Sequence, residues 1–218
     1  MPRQRRKGEA VLAAVVLVLT APLLAVIAIC IRISDPGPVF YPAERVGVSG
    51  VRFRMYKFRT MRIGADHGSR IAGAQDPRVF AFGGWLRRLK LDELPQLLNI
   101  VRGDMAFVGP RPEDPWIADR HYTEADRETL EAPPGLTSPG TLYYFTHAGP
   151  SLDSADAEAS YISGPLKTKL ALDRAYVRRA SAGYDLRLVF QTIQVLGRVA
   201  AGRRVSGIIQ GDGSAAPK

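Results

Sequence analysis

Two adjacent carboxylates, Asp92 and Glu93, open the stretch Leu91-Asp92-Glu93-Leu94-Pro95-Gln96-Leu97-Leu98-Asn99, and Arg111 follows it between Pro110 and Pro112. Carboxylates beside guanidinium groups suit phosphoryl chemistry: an anion attacks phosphorus or holds a metal, and a cation binds phosphate oxygens. The same residues admit a plainer role, in which Asp92 caps a helix whose first turn tolerates Pro95. A helix from Glu93 to Arg102, with Leu94, Leu97, Leu98 and Val101 as its buried stripe and Gly103 as its stop, leaves both carboxylates at the positive end of its dipole. Arg87 and Arg88 lie just upstream, on a short helical turn with Trp85, Leu86, Leu89 and Lys90.

A second block is basic. Between Arg45 and Ala65 there is no acidic residue, while Arg45, Arg52, Arg54, Lys57, Arg59 and Arg62 all occur there. Val51, Phe53 and Met55 alternate with arginines as a half-buried strand does after a Ser49-Gly50 turn. The parity then flips to Tyr56 and Phe58, which marks a bulge or a strand end, and bulges often re-aim side chains beside active sites. A turn at Asp35-Pro36-Gly37-Pro38 precedes a short strand, Val39-Phe40-Tyr41. Asp76-Pro77-Arg78 and Phe82-Gly83-Gly84 read as loops, and Glu131 to Gly140, rich in proline and glycine, as a rigid one. An exposed acidic stretch runs from Ser151 to Glu158. Two amphipathic helices follow, Leu166 to Arg179 and Asp185 to Val199, the latter with Leu186, Val189, Ile193 and Leu196 on one face; either can cover a core or lie on a membrane surface. From Ser206 the composition is that of a disordered tail.

The formal charge of +9 over 218 residues points to anionic partners: nucleic acid, a phospholipid surface or phosphorylated substrates. A single cysteine, Cys30, excludes an internal disulfide and a thiolate metal cluster and fits a reducing compartment. His67, His121 and His147 show no ligand spacing. Arg3, Arg5, Arg6 and Lys7 precede an apolar run from Ala10 to Ile31 that is interrupted by Thr20 and Pro22. The run is long enough to cross a bilayer. It lacks a small-residue cleavage site, so it is read as retained. Basic residues on both flanks give no orientation, and Pro22 near the middle permits either a kinked span or a helix that enters one leaflet and returns. The segmentation is residues 1–34 as basic terminus and membrane helix, 35–199 as catalytic domain and 200–218 as tail, in an α+β, mostly helical chain. No DNA- or RNA-binding motif is present, and a carboxylate pair in the basic region repels phosphates unless a metal screens it, which argues against a membrane-tethered nucleic-acid-binding protein.

In order and spacing these blocks resemble the bacterial sugar transferase family, the monotopic phosphoglycosyl transferases that start glycan assembly on a polyprenyl phosphate. The resemblance covers the chain from about Arg5 to Thr192. It is carried by Arg5-Arg6-Lys7-Gly8-Glu9 before the apolar run, Gly37-Pro38-Val39-Phe40-Tyr41, Arg45-Val46-Gly47 and Tyr56-Lys57-Phe58-Arg59-Thr60-Met61-Arg62. The Asp92-Glu93 stretch with Gly103-Asp104-Met105 and Val108-Gly109-Pro110-Arg111-Pro112 is its signature, and Lys169-Leu170-Ala171-Leu172-Asp173, Tyr176-Val177, Ser181 and Asp185-Leu186 complete it.

The resemblance implies a phosphosugar transfer from a UDP-sugar to polyprenyl (undecaprenyl) phosphate, releasing UMP, at the first membrane step of exopolysaccharide, capsule, O-antigen or glycoprotein assembly. It implies Asp92 as the nucleophile of a covalent aspartyl-phosphosugar and Glu93 as the ligand of Mg²⁺. Lys57, Arg59, Arg87 and Arg111 become substrate-binding residues. The implied setting is the bacterial inner membrane, with a re-entrant helix bent at Pro22 and the catalytic domain facing the cytoplasm among membrane lipids. An inactive scaffold of the same fold is opposed by the intact Asp92, Glu93 and Arg111. Two places depart from the family pattern: Ala21 stands where serine is frequent before the bend proline, and Ser138-Pro139-Gly140-Thr141 replaces a glycine-containing loop.

Overall fold

Arg3–Ser34 forms one continuous α-helix, α1, which runs through Pro22. The computed structural model describes residues 3–65, 69–73, 76–148 and 156–203; His67, most of the acidic stretch from Ser151 and the tail from residue 204 lie outside the described residues. Proline removes one donor from the helical ladder. The hydroxyl of Thr20 does not compensate there: it donates one turn back, to the carbonyl of Val16 at 2.7 Å. Along α1 the apolar residues divide by face. Ala13, Ile27 and Ile31 are buried against the domain, while Leu12, Val15, Leu19, Val26, Ile29 and Ile33 are exposed. Burying an isoleucine such as Ile31, at 0 % exposure, stabilises the docked helix by roughly 1.5–3 kcal/mol.

The contacts of α1 extend along its length. Near its start, Glu9 accepts a hydrogen bond from the backbone N–H of Phe107 at 3.1 Å. Ala13, Val16 and Leu17 then join Ala43, Met55, Leu97, Ile100 and Met105 in one core cluster. At the far end Leu24, Ile27, Ala28 and Ile31 join Phe58, Phe80 and Leu86 in a second.

β1 (Phe40–Val46) and β2 (Arg52–Phe58) form an antiparallel hairpin in unbroken register, from Phe40 opposite Phe58 to Val46 opposite Arg52. There is no bulge. The parity flip has another cause: the strand end is covered on both faces, Met55 facing the first cluster and Phe58 the second. Such two-sided burial erases the alternation that a half-buried strand shows. The strand ends at Phe58, the other reading of the flip.

α2 (Ala81–Arg88) includes Phe82-Gly83-Gly84, which is helical rather than loop. Gly83 lets the helix press on the preceding chain: a Cβ there would stand 2.3 Å from the carbonyl oxygen of Thr60. The helix expected from Glu93 is divided into a 3₁₀ segment, Leu91–Gln96, and α3, Leu97–Arg102, which stops at Gly103 with φ 83°. Its buried face carries polar residues, Gln96 and Asn99, beside Leu97 and Ile100, whereas Val101 faces out.

The rigid loop after Glu131 contains a strand, β4 (Gly135–Thr137), paired in parallel with β3 (Ala106–Val108). Helices α4 (Pro115–His121), α5 (Pro139–Tyr143), α6 (Ala157–Ser163), α7 (Pro165–Arg179) and α8 (Ala182–Ala200) complete the domain. α8 buries Asp185, Leu188 and Val195 and exposes Leu186, Phe190 and Ile193, so its inner face is rotated from the one its leucine and isoleucine spacing suggested.

Candidate active site

The chain enters the carboxylate pair through a left-handed residue, Lys90, with φ 59°. Lys90, not Asp92, occupies the N-cap position, and no side chain caps this segment. Asp92 and Glu93 are therefore the first buried residues of the 3₁₀ turn, each 8 % exposed. Their surroundings separate them. Glu93 is held by Arg111 in a two-pronged ion pair, Nη2 to Oε1 at 2.6 Å and Nη1 to Oε2 at 3.2 Å, and Lys90 Nζ adds a bond to Oε1 at 3.2 Å. Oδ1 of Asp92 is buried and has no hydrogen-bond partner among the described residues.

These surroundings move the acidities apart. Burial and the neighbouring Glu93 push the Asp92 carboxyl above the usual aspartate value, against the opposing charges of Lys90, Lys57 and Arg87. Burial also pushes Glu93 up, but the attraction of Arg111, backed by Lys90, outweighs it and holds Glu93 well below the glutamate range. One carboxylate is thus neutralised by a guanidinium and the other is left under-solvated. Two coupled carboxyls whose environments pull them apart take different roles.

Arg111 is positioned by the β3–β4 pairing and by the buried Asp173. Gly109 N–H bonds to Thr137 O at 3.0 Å and Gly135 N–H to Pro110 O at 2.9 Å, which locks the Gly109-Pro110-Arg111 backbone against β4. Asp173, from α7, accepts from the backbone N–H of Gly140 at 2.9 Å and, at 3.4 Å, from that of Arg111. The loop that departs from the family pattern, Ser138-Pro139-Gly140, is therefore buried against the same aspartate that steadies Arg111. Beside it Lys169 bonds Glu113 and, at 3.0 Å, the hydroxyl of Tyr161.

The basic residues expected from the sequence divide. Lys57 lies half-buried over the ring of Tyr41, 5.2 Å from its centroid. Burial and the nearby Arg45 bring its ammonium down to about 8, while Asp92 and Glu93 pull the other way. Arg87, in the last turn of α2, is within electrostatic reach of Asp92 and makes no ion pair among the described residues. Arg59 is not brought to this group. The residue is 6 % exposed, and its guanidinium binds Asp35, the carbonyl of Pro38 and that of Met61, which ties the end of α1 to the end of β2. An open groove of about 440 Å³ between β1 and α4 is lined by Arg45, Arg52 and Trp116. Neither Asp92 nor Glu93 lines it, and its arginines pair with Asp114 and Asp119.

Sequence reasoning missed Lys90, Glu113, Lys169 and Asp173 as parts of this network, and also Gln96, which is buried in the same 3₁₀ segment without a hydrogen-bond partner among the described residues. A signal for two of them existed: Lys169 and Asp173 fall on the same face of α7 as Leu166, Leu170 and Tyr176, and ionisable residues in an apolar stripe are paired when buried. No group of three or more His, Cys, Asp or Glu side chains among the described residues could hold a metal. Mg²⁺ does not need one, since it binds through one or two carboxylates together with substrate phosphates and water. The unpartnered oxygen of the pair belongs to Asp92, whereas both oxygens of Glu93 are engaged by Arg111 and Lys90, so Glu93 would take a cation delivered in that way as Arg111 turns to the arriving phosphate.

A sequence profile of bacterial sugar transferases matches residues 3–198. The chain is 35% identical over 202 residues to a UDP-glucose:undecaprenyl-phosphate glucose-1-phosphate transferase of Xanthomonas campestris, covering 88% of this chain and 39% of that one. It is 33% identical over 197 residues to a UDP-N-acetylgalactosamine-undecaprenyl-phosphate N-acetylgalactosaminephosphotransferase of Aeromonas hydrophila, covering 88% and 43%. With the exopolysaccharide production protein ExoY of Rhizobium meliloti it shares 37% over 207 residues, covering 87% and 83%. The chain therefore spans about two fifths of the first two relatives and most of the third.

Proposed function

The chain belongs to the bacterial sugar transferase family, and we propose that it transfers a phosphosugar from a UDP-sugar to undecaprenyl phosphate, releasing UMP. The observation that carries this reading is the unequal treatment of the carboxylate pair. An under-solvated carboxylate with an unpartnered oxygen is a stronger nucleophile than one held in a two-pronged ion pair. Asp92 attacks the β-phosphorus, the bond from that phosphorus to the oxygen of the α-phosphate breaks, and UMP leaves with the electron pair. The aspartyl-phosphosugar is then attacked by an oxygen of undecaprenyl phosphate. The acyl-phosphate bond breaks, Asp92 returns to a carboxylate, and undecaprenyl-diphospho-sugar is the product.

Lys57 and Arg87 offer positive charge beside Asp92 where anions must approach an anion. Arg111 keeps Glu93 ionised and fixed, and one of its prongs can turn to a phosphate oxygen on binding. Mg²⁺, held by Glu93 with the diphosphate, would screen the charge between the nucleophile and the phosphates. EDTA should stop UMP release and added Mg²⁺ should restore it; full turnover in chelator would remove the metal from this scheme.

The membrane setting belongs to the same proposal. α1, apolar enough to cross a bilayer and exposed along one whole face, inserts from and returns to the cytoplasmic face of the inner membrane. The test of the activity is purified protein in detergent, a panel of UDP-sugars and undecaprenyl phosphate, with nucleotide release followed. UMP release with at least one sugar is expected. Release of UDP, or no release with any sugar, would overturn the reaction class.

A further inference from the structure

Two carboxamides lie fully buried on the short stretch that carries the carboxylate pair, and the fold treats them differently. Asn99, 0 % exposed, uses its whole amide: Oδ1 accepts from the Tyr56 N–H at 3.0 Å, and Nδ2 donates to Arg54 O at 2.7 Å and to Asp104 Oδ2 at 3.1 Å. It is a structural pin between α3 and β2. Gln96, 1 % exposed, has no hydrogen-bond partner among the described residues at Nε2 and none at Oε1. Buried polar groups in folded proteins are nearly all paired, and an amide left unpaired weakens the fold. A leucine or methionine would fill that volume without the penalty. The glutamine is explained if its partner comes from outside the chain.

Where it sits narrows the partner. Asp92 and Gln96 lie four residues apart on one 3₁₀ segment, about 8 Å in axial rise at ~2 Å per residue. Oδ1 of Asp92 is another buried atom there without a partner. Because both a donor and an acceptor of Gln96 are unpaired, the complementary ligand carries an acceptor and a donor together. An alkyl phosphate such as the polyprenyl acceptor offers oxygen acceptors and an apolar tail. A phosphosugar offers phosphate oxygens and hydroxyl donors on adjoining atoms.

We propose that the Gln96 carboxamide contacts the phosphosugar, donating from Nε2 to a phosphate oxygen and accepting at Oε1 from a sugar hydroxyl. This rests on the reaction proposed above and adds a residue to its substrate site. The contact serves the first half-reaction and the covalent intermediate, and it leaves the lipid acceptor untouched.

The test compares wild type with Gln96→Met, and with Gln96→Leu as a second isosteric variant should the first fail to fold, using full-length protein in detergent. Two quantities are read: the melting temperature without ligand, and kcat/KM for UMP release as UDP-sugar and undecaprenyl phosphate are varied separately. The expected result is a melting temperature at or above wild type, with kcat/KM for the UDP-sugar falling about 10- to 100-fold, the loss of one or two hydrogen bonds. The kcat/KM for undecaprenyl phosphate should not change. Wild-type kcat/KM in a folded variant would overturn the proposal, as would a lowered melting temperature with losses shared equally by both substrates. A wild-type protein that releases no UMP removes the reaction itself and this contact with it, whereas an active wild type with an equally active variant removes the contact alone.

Discussion

Asp92 and Glu93 are neighbours in the chain, yet the fold gives them opposite electrostatic settings, and the difference makes a stability prediction as well as a catalytic one. Asp92 has its folded-state pKa above the unfolded aspartate value. Its contribution to stability is therefore present at low pH and lost as pH rises through the window from about 3.8 to the raised value. At neutral pH the ionised side chain weakens the fold. Asp92→Asn should abolish a labelled phosphosugar-enzyme adduct while raising the melting temperature at pH 7, with the gap closing as pH falls toward 3.8. Adduct formation by that variant, or a lower melting temperature at neutral pH, would contradict this assignment.

Lys57 has the reverse sign. Its folded pKa of about 8 lies below the ordinary lysine value of 10.5, so its contribution to stability grows as pH rises between those limits, while its usefulness as a cation fades. UMP release should therefore show a basic limb near pH 8, and Lys57→Arg should move that limb to higher pH because a guanidinium does not titrate there. At this scale residue type and spacing singled out the carboxylates and Arg111, and the family resemblance added Lys57 and Arg87, whose charges the fold brings within reach of Asp92. Arg59 was not distinguishable from Lys57, because a sequence shows that a charge exists and not which carbonyls consume it.

At the scale of elements, the second strand, α7 and α8 could be read from periodicity and α1 from its apolar run, whereas the length of β1 and its pairing with β2 could not, and the errors cluster where two layers cover one segment. The helical Phe82-Gly83-Gly84 comes from close packing, which turns glycine content into a misleading signal, while at Tyr56–Phe58 the strand-end reading holds and the bulge does not. β4 hid inside a proline- and glycine-rich tract because three residues of parallel pairing leave no pattern in sequence. Gly83 offers a direct test of the packing account. A Cβ at 2.3 Å from the Thr60 carbonyl must push α2 off the strand end. Gly83→Ala should cost about 1–3 kcal/mol by overpacking, despite the better helix propensity of alanine. Denaturation in detergent should show that loss. An unchanged or raised melting temperature would mean that α2 does not rest on Thr60.

For the whole molecule, the open question is how a helix apolar enough to cross a bilayer relates to the domain that follows it. A free span would carry its N-terminal end away from the domain by the thickness of the hydrocarbon core, about 30 Å. Here both ends of α1 are engaged, Glu9 with the backbone of Phe107 and Ile31 with Phe58 and Leu86, so the exposed apolar face lies alongside the domain. That geometry supports a helix held in one leaflet, and the sequence supplied only the ambiguous part of it, a long apolar run with a central proline. The contact can be tested in native membranes. In a Cys30→Ser background, cysteines at Glu9 and Phe107 should be joined by a short bis-maleimide reagent after lysis. A cysteine at Gln4 should resist an impermeant thiol reagent in intact cells and react once the cells are opened. Labelling of Gln4→Cys in intact cells, together with no Glu9–Phe107 cross-link, would establish a spanning helix and separate the N-terminus from the catalytic face.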